Sequence, residues 1–409
     1  MPIIAGDHDP GAMLPEVGFA TAAYTDPVGR VWPLTDTQSG WFTLADGVSG
    51  LGAAVYDLTT DAHPRGGVRL RHAQPQARTV VWPLHVYGDS HTEFIGRWRR
   101  LARAFTDTLR RGPGRLEIAR PDGTRRHIAV RYSAGFEGQG EQGTGIHSDT
   151  AILSLLCEDP YWVDSVPLTA RREHAVGEDF LQPFPSVSSS QVLGETTLDN
   201  PGDVDAWPEW VITGPATAVT FTHTDTGRSF TLDPAEVGGS LLAHEQVTVT
   251  THPPRVRKAT AERQTISLGA ATAGTITITA FGETTASIPR TATAATVRTA
   301  LEALVAVDPD EVVVTGGPLP AAVTLTFVGR YLGTNVPQVV VVPTGLTGGT
   351  VTVATLTQGG TANWVGALDW PGADLWPLQP GENRVTFQLD GSGAGSAVDL
   401  SAAARHETA

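Results

Sequence analysis

The chain has 409 residues, 40% of them hydrophobic and 17% charged, with ten Trp; this excludes wholesale disorder, and the length calls for two or three domains with sizeable cores. A formal net charge of −15 excludes general nucleic-acid binding, which draws most of its affinity from a basic surface. With 45 Gly, 29 Pro and abundant Thr and Val, the composition favours short strands joined by tight turns, so a mainly β protein is expected.

At the start of the chain, Asp7, His8 and Asp9 stand where a secretory leader has basic residues and an apolar core. With no apolar run of about 18 residues, neither export nor membrane insertion is expected, and the protein is read as assembled in a cytoplasm-like space. Residues 1–90 read as strands and turns, with apolar runs at Val17 to Tyr24, Trp41 to Leu44 and Thr79 to Val86, compatible with a partly closed sheet. One long helix follows, from His91 to Arg111, with Phe94, Ile95, Trp98, Leu101, Ala102 and Phe105 on one face. Ser90 and Glu93 form its capping box, and Gly112-Pro113-Gly114 ends it.

Strands Arg115 to Ala119 and Arg125 to Tyr132 flank Pro121-Asp122-Gly123, which is hairpin turn chemistry. From Arg97 to Arg131 there are eleven Arg against three acids. This stretch reads either as a solvated helix face and hairpin edge or as a surface that meets an acidic partner or a neighbouring subunit. A glycine-rich loop, Gly135 to Gly145, leads to an apolar strand ending at the single Cys157, which permits no intrachain disulfide and too few thiolates for a structural zinc site.

Residues 166–190 are polar and rich in Pro and Ser, a linker pattern, and strand alternation returns at Gln191 to Thr197, Trp207 to Thr213, Val219 to Thr224 and Gln246 to Thr251. After Lys258, the only Lys, the texture becomes rich in Thr, Ala and Gly until Trp364. The organisation expected is therefore an N-terminal domain over 1–165, a second β domain built from 166–258 and 363–409, and an inserted α+β module over 259–362. The module is expected to hold strands at Gln264 to Leu268, Thr275 to Phe281, Glu311 to Thr315 and Ala322 to Gly329, with one helix near Thr293 to Leu304. Arg384 to Leu389 and Ala397 to Ala404 close the second domain. Residues 1–165 carry 16 basic and 19 acidic groups, the remainder 12 and 24, so the acid excess lies in the C-terminal part.

No catalytic, cofactor-binding or metal-binding residues are assigned. Gly88-Asp89-Ser90 followed by His91 has the look of an esterase nucleophile block, but no His has Asp three residues before it, and Ser90 already serves as a helix cap. Gly138, Gly140 and Gly143 match G-x-G-x-x-G, yet a strand follows where a dinucleotide site needs a helix, and Glu137 and Glu141 would repel a pyrophosphate. Asp7-His8-Asp9, Asp61 with His63, and His244-Glu245 read as polar loops. Asp308, Asp310 and Glu311 read as turn acids ahead of a glycosidase pair. Trp364, Trp370 and Trp376 are read as buried anchors, with sugar stacking as the alternative.

Taken together, several segments resemble the distal tail protein family of long-tailed bacteriophages. They are the run from Phe94 to Cys157 with Asp159-Pro160-Tyr161-Trp162; Asn200-Pro201-Gly202-Asp203; Trp207-Pro208-Glu209-Trp210-Val211-Ile212 with Gly214-Pro215; Thr226-Gly227-Arg228; Asp374-Leu375-Trp376-Pro377-Leu378; and Pro380-Gly381-Glu382-Asn383. The segment 259–362 separately resembles a repeat-type module of phage and bacterial surface proteins, through Gln264-Thr265-Ile266, Phe281-Gly282-Glu283-Thr284-Thr285, Val314 to Pro320, Gly333-Thr334-Asn335-Val336-Pro337 and Gln358-Gly359-Gly360. The resemblance implies a β-barrel-like or sandwich ring domain with one long helix, then a galectin-like β-sandwich carrying the module. It implies a structural, non-enzymatic virion protein at the distal end of the tail, a homo-oligomeric ring, hexameric in the family, between the tail tube protein and a tail-tip hub or tail-associated protein, with the tape measure protein as a further partner. An acidic chain suits a channel through which DNA slides. Arg99, Arg103 and Arg126 are the residues expected on one ring contact, because a closed ring needs two complementary faces on each subunit. The alternative function is adhesion through a host cell-surface glycan.

Overall fold

The computed structural model describes residues 20–44, 46–138, 145–174 and 190–409, and divides into two compact units. The protein is mainly β, and among the described residues one helix exceeds nine residues. Asp7, His8, Asp9, Gly140, Glu141, Gly143 and most of the linker pattern at 166–190 lie outside the described residues.

The first unit comprises residues up to 167, with 201–206 and 403–409. Its antiparallel sheet runs in the order Val31–Pro33, Thr21–Thr25, Gly114–Ala119, Arg125–Ala134, Ser148–Cys157, Arg78–Tyr87 and Trp41–Thr43; Trp162–Asp164 and Arg405–His406 pair at its side. The expected helix is broken into α1 (His91–Thr106) and a single turn, α2 (Thr108–Arg111), with Asp107 between them. Ser90 Oγ accepts from Glu93 N at 3.2 Å, as its spacing indicates, while the Glu93 carboxylate reaches back to Asp89 N at 2.9 Å, one residue before the cap. Phe94, Trp98, Leu101, Ala104 and Phe105 of α1 are buried on Tyr24, Leu84, Leu116, Val130 and Leu155 of the sheet. Tyr24 fixes the helix: its ring stacks on Phe105 at 4.1 Å, and its hydroxyl donates to Ala104 O at 3.0 Å. Burial pushes the Tyr24 phenol above its usual ionisation range.

The second unit comprises 168–200 and 207–402. One sheet orders Leu168–Glu173, Ala397–Ala402, Glu209–Thr213, Glu245–Thr251, Pro254–Thr260 and Gly360–Asn363; the other orders Ser190–Asn200, Gly381–Asp390, Ala218–His223 and Arg228–Leu232. They pack face to face, because Trp210 of the first meets Phe221, Phe230 and Phe387 of the second with ring centroids 4.3, 6.1 and 5.3 Å away. Within the same unit, two four-stranded sheets and helix α3 (Ala294–Glu302) surround a separate core of Ile266, Ile278, Val297, Leu301, Leu325 and Phe327. This part leaves the sandwich after Thr260 and rejoins it at Gly360, and those two residues are paired neighbours. Entry and exit side by side let a folded module grow from an edge without parting the strands beneath it.

Candidate functional site

Among the described residues, a row of arginines on α1 and a hairpin that joins no larger sheet are features of the first unit that its own packing leaves open. The hairpin joins Tyr56–Ala62 to Val68–Pro75, and among the described residues these strands pair only with each other. Directly opposed residues share a face in an antiparallel pair, so the register Tyr56↔Pro75, Leu58↔Ala73, Thr60↔Leu70 and Ala62↔Val68 makes one face apolar. The other face carries Asp57↔Gln74, Thr59↔His72 and Asp61↔Arg69. Val68, Leu58 and Leu70 are 68%, 56% and 55% exposed, so the apolar face meets solvent. The sequence shows the alternation, with His63-Pro64-Arg65-Gly66-Gly67 as its turn, but nothing local says that this pair stands apart from the other strands of 1–90.

The arginines divide by what they touch. Those of the hairpin after α2 are used internally, Arg126 among them: its Nε lies 3.4 Å from Asp164, and its Nη1 donates to Thr408 O at 2.9 Å. Arg115 and Arg125 both hold Glu117, Arg120 donates to Ala409 O at 2.8 Å, and Arg131 pairs with Glu158 at 2.9 Å. Burial raises the Glu117 carboxyl, but Arg125 and Arg115 outweigh it, and the group ends below the usual carboxylate range. Burial, reinforced by Arg115, pushes the neighbouring His127 down to about 4. Such spending of charge inside the unit is invisible in a sequence, where all eleven arginines look alike.

Arg99, Arg100 and Arg103 are exposed and have no carboxylate within ion-pair distance among the described residues. With Arg30 and Arg111 they line an open groove of about 520 Å³, whose wall includes Val28, Trp32, Asp26 and Asp107. Asp26 is already satisfied: its carboxylate accepts from Val28 N at 3.0 Å, Arg30 N at 2.9 Å and Trp32 Nε1 at 3.1 Å. Asp107 lies 3.9 Å from Arg111. Five guanidinium groups against two carboxylates leave the groove positive in an acidic protein, and Arg99 and Arg103 stand one helical turn apart, a repulsive spacing that a bound anion relieves.

The remaining sequence candidates are dispersed. His91 Nδ1 meets Ile146 O at 2.7 Å, Gly138 has φ of 74°, and Glu137 accepts from Gly135 N at 2.9 Å. Asp61 pairs with Arg71, His63 accepts from Arg65 N at 3.2 Å, and Glu245 pairs with Lys258 at 2.7 Å beside a left-handed His244. Glu311 and Asp308 are held by Arg330 at 3.0 and 3.5 Å, and Asp310 lies 3.8 Å from Arg298. Among the described residues, no three of His, Cys, Asp and Glu gather to hold a metal, and no helix is long and apolar enough to cross a membrane. Burial pushes the Cys157 thiol up to about 12. The three late tryptophans separate: Trp376 is fully buried, Trp364 carries the Lys258 ammonium 4.5 Å from its ring, and Trp370 is 57% exposed.

No family model and no curated protein matches the chain. Among solved structures, it is similar to the Dit (gp 19.1) protein of phage SPP1, described as a paradigm of the hub adsorption apparatus in phages infecting Gram-positive bacteria. The identity is 13%, over 94% of this chain and 98% of that one, with a TM-score of 0.45. It is also similar to a chain of the phage P2 baseplate in its activated conformation with Ca, at 11% identity over 58% of this chain and 83% of that one, with a TM-score of 0.37.

Proposed function

We propose that this chain is a structural virion protein of a long-tailed bacteriophage, forming a hexameric ring that joins the tail tube to the tail tip. The carrying observation is the hairpin of Tyr56–Ala62 and Val68–Pro75, which has one apolar face and, among the described residues, no sheet to cover it. A two-stranded hairpin alone is marginal in water, and an amphipathic one needs a surface against its apolar side. A second copy of the chain supplies that surface in this reading, and the Arg99 to Arg103 groove belongs to a complementary contact. The sequence resemblance supports the same reading, and residues that carry it hold core positions: Trp210 and Trp376 are buried edge to face at 5.3 Å, and Asn383 is buried with its Oδ1 2.9 Å from His223 Nε2.

In this proposal the tail tube protein lies on one side of the ring and the tail-tip hub on the other, with the tape measure protein as a further contact. The second unit is a galectin-like sandwich that carries the 259–362 module outward, toward the host. The reading assigns the chain no catalysis. Light scattering on the purified protein, with negative-stain imaging of the same fraction, tests it: six-fold rings at six times the chain mass are expected, and a monomer at every concentration and salt, failing also to join tail tubes, overturns it.

A further inference from the structure

The second unit has 11 basic against 21 acidic residues, and six of its cations pair with a carboxylate among the described residues. Arg171 pairs with Asp399 at 2.7 Å, Arg228 with Asp374 at 2.6 Å, Lys258 with Glu245 at 2.7 Å, Arg330 with Glu311 at 3.0 Å and Arg384 with Asp225 at 2.5 Å. Arg172, Arg255, Arg257, Arg263 and Arg290 have no ion pair among the described residues, and of these five only Arg255 and Arg257 are exposed. These two stand on either side of buried Val256 in the strand Pro254–Thr260. Alternation along a strand puts them on one side of the sheet, about 7 Å apart.

They line an open groove of about 500 Å³ with Thr361, Asn363 and Val365, where the neighbouring strand Gly360–Asn363 ends. Asn363 Oδ1 accepts from Val365 N at 3.1 Å, which leaves its amide NH2 as a donor. The carbonyl of Val365 accepts the indole N–H of Trp370 at 3.1 Å, anchoring a ring that is 57% exposed. Large exposed aromatics tied by their polar edge offer a flat apolar surface to a ligand.

We propose that this groove binds an anionic glycan: a sugar whose carboxylate or phosphate is held by Arg255 and Arg257, whose hydroxyls meet Asn363 and Thr361, and whose ring packs on Trp370 and Val365. The guanidinium forks select a planar or tetrahedral oxyanion. The amide, hydroxyl and indole add what a simple anion does not need. A nucleic acid is disfavoured, because two arginines in a unit of net charge −10 neutralise too few phosphates. The site is complete in one copy, so its failure leaves the ring reading untouched, and a failed ring leaves the site standing.

The test is calorimetric titration of the full chain with trigalacturonic acid, glucose 6-phosphate, neutral maltotriose and inorganic phosphate. An acidic sugar is expected to bind about tenfold or more tightly than maltotriose; which of the two wins identifies carboxylate or phosphate as the anion. Arg255→Ala with Arg257→Ala should remove that preference, and Trp370→Ala should weaken the acidic sugar about tenfold while leaving the melting profile unchanged. Absence of binding by both acidic sugars overturns the proposal. So does binding that survives the double arginine variant, or inorganic phosphate that binds as tightly as the sugars and ignores Trp370→Ala.

Discussion

The Tyr56 hydroxyl donates to the Glu407 carboxylate at 2.5 Å across 351 positions of sequence. Glu407 also accepts from Ala54 N at 2.8 Å, and its carbonyl accepts from Arg78 Nη2 at 2.9 Å. Arg78 is itself buried and spends its other amino group on Gly50 O and Gly52 O. Residues 403–409 thus pin the base of the apolar hairpin to the first unit's sheet. The Tyr56 hydroxyl also lies 3.0 Å from that of Tyr161, so Tyr56→Phe should cost about 2 kcal/mol, the ordinary worth of two such bonds, and Arg78→Met about 3 kcal/mol, because three carbonyls lose their donor together. Differential scanning calorimetry measures both. Hydrogen exchange should quicken at 56–75 in the tyrosine variant, and equal protection in variant and parent would show that these bonds do not hold the hairpin.

Covering the hairpin's apolar face should supply most of the free energy of assembly. Leu58→Asp with Leu70→Asp replaces two leucines that are 56% and 55% exposed in one copy, so the single chain should melt within about 0.5 kcal/mol of the parent. Burying an unpaired carboxylate in a contact costs several kcal/mol for each ion, and light scattering should find the ring dissociated. A ring of unchanged mass would free the hairpin from any contact between copies.

Charge reversal separates two kinds of arginine that the sequence presents as one. Arg99→Glu with Arg103→Glu acts on exposed groups without a carboxylate partner among the described residues, and should weaken assembly while leaving the melting temperature of the single chain nearly unchanged. Arg126→Glu instead sets a carboxylate against Asp164 and abandons Thr408 O, so it should destabilise the first unit by about 2 kcal/mol. Analytical ultracentrifugation with thermal melts reads both effects, and identical behaviour of the two variants would refute the division.

What could be read from the sequence follows from how local each signal is. The helix with its Ser90 cap and the alternation of strands such as Glu209–Thr213 are written within a few residues. The break at Asp107 depends on tertiary packing, where Thr108 Oγ1 donates to Phe105 O at 2.7 Å and accepts from Tyr132 N at 2.9 Å. The clamp on residues 403–409 joins segments hundreds of positions apart, and the separation of Arg126 from Arg99 depends on where Asp164 and Thr408 fall in space. The Arg255 and Arg257 groove needs the ion-pair map of the whole unit before two unremarkable arginines stand out.

His127 provides a pH test confined to the first unit. Its imidazole is held near 4 by burial and by Arg115, against an unfolded value near 6.5. Above pH 6.5 the group is neutral in both states, and its contribution is fully present. As pH falls from 6.5 toward 4, the unfolded chain takes up a proton that the folded chain refuses, so stability falls with pH across that window, by up to about 3 kcal/mol. His127→Gln removes the titrating group, and its Nε2 or Oε1 can still face Ser165, whose Oγ lies 3.4 Å from His127 Nδ1. The variant should therefore show a flatter stability curve between pH 4 and 6.5 and match the parent at pH 7 within about 1 kcal/mol. Urea unfolding at half-unit steps of pH measures the slope, and parallel curves for parent and variant would show that His127 titrates normally in the folded protein.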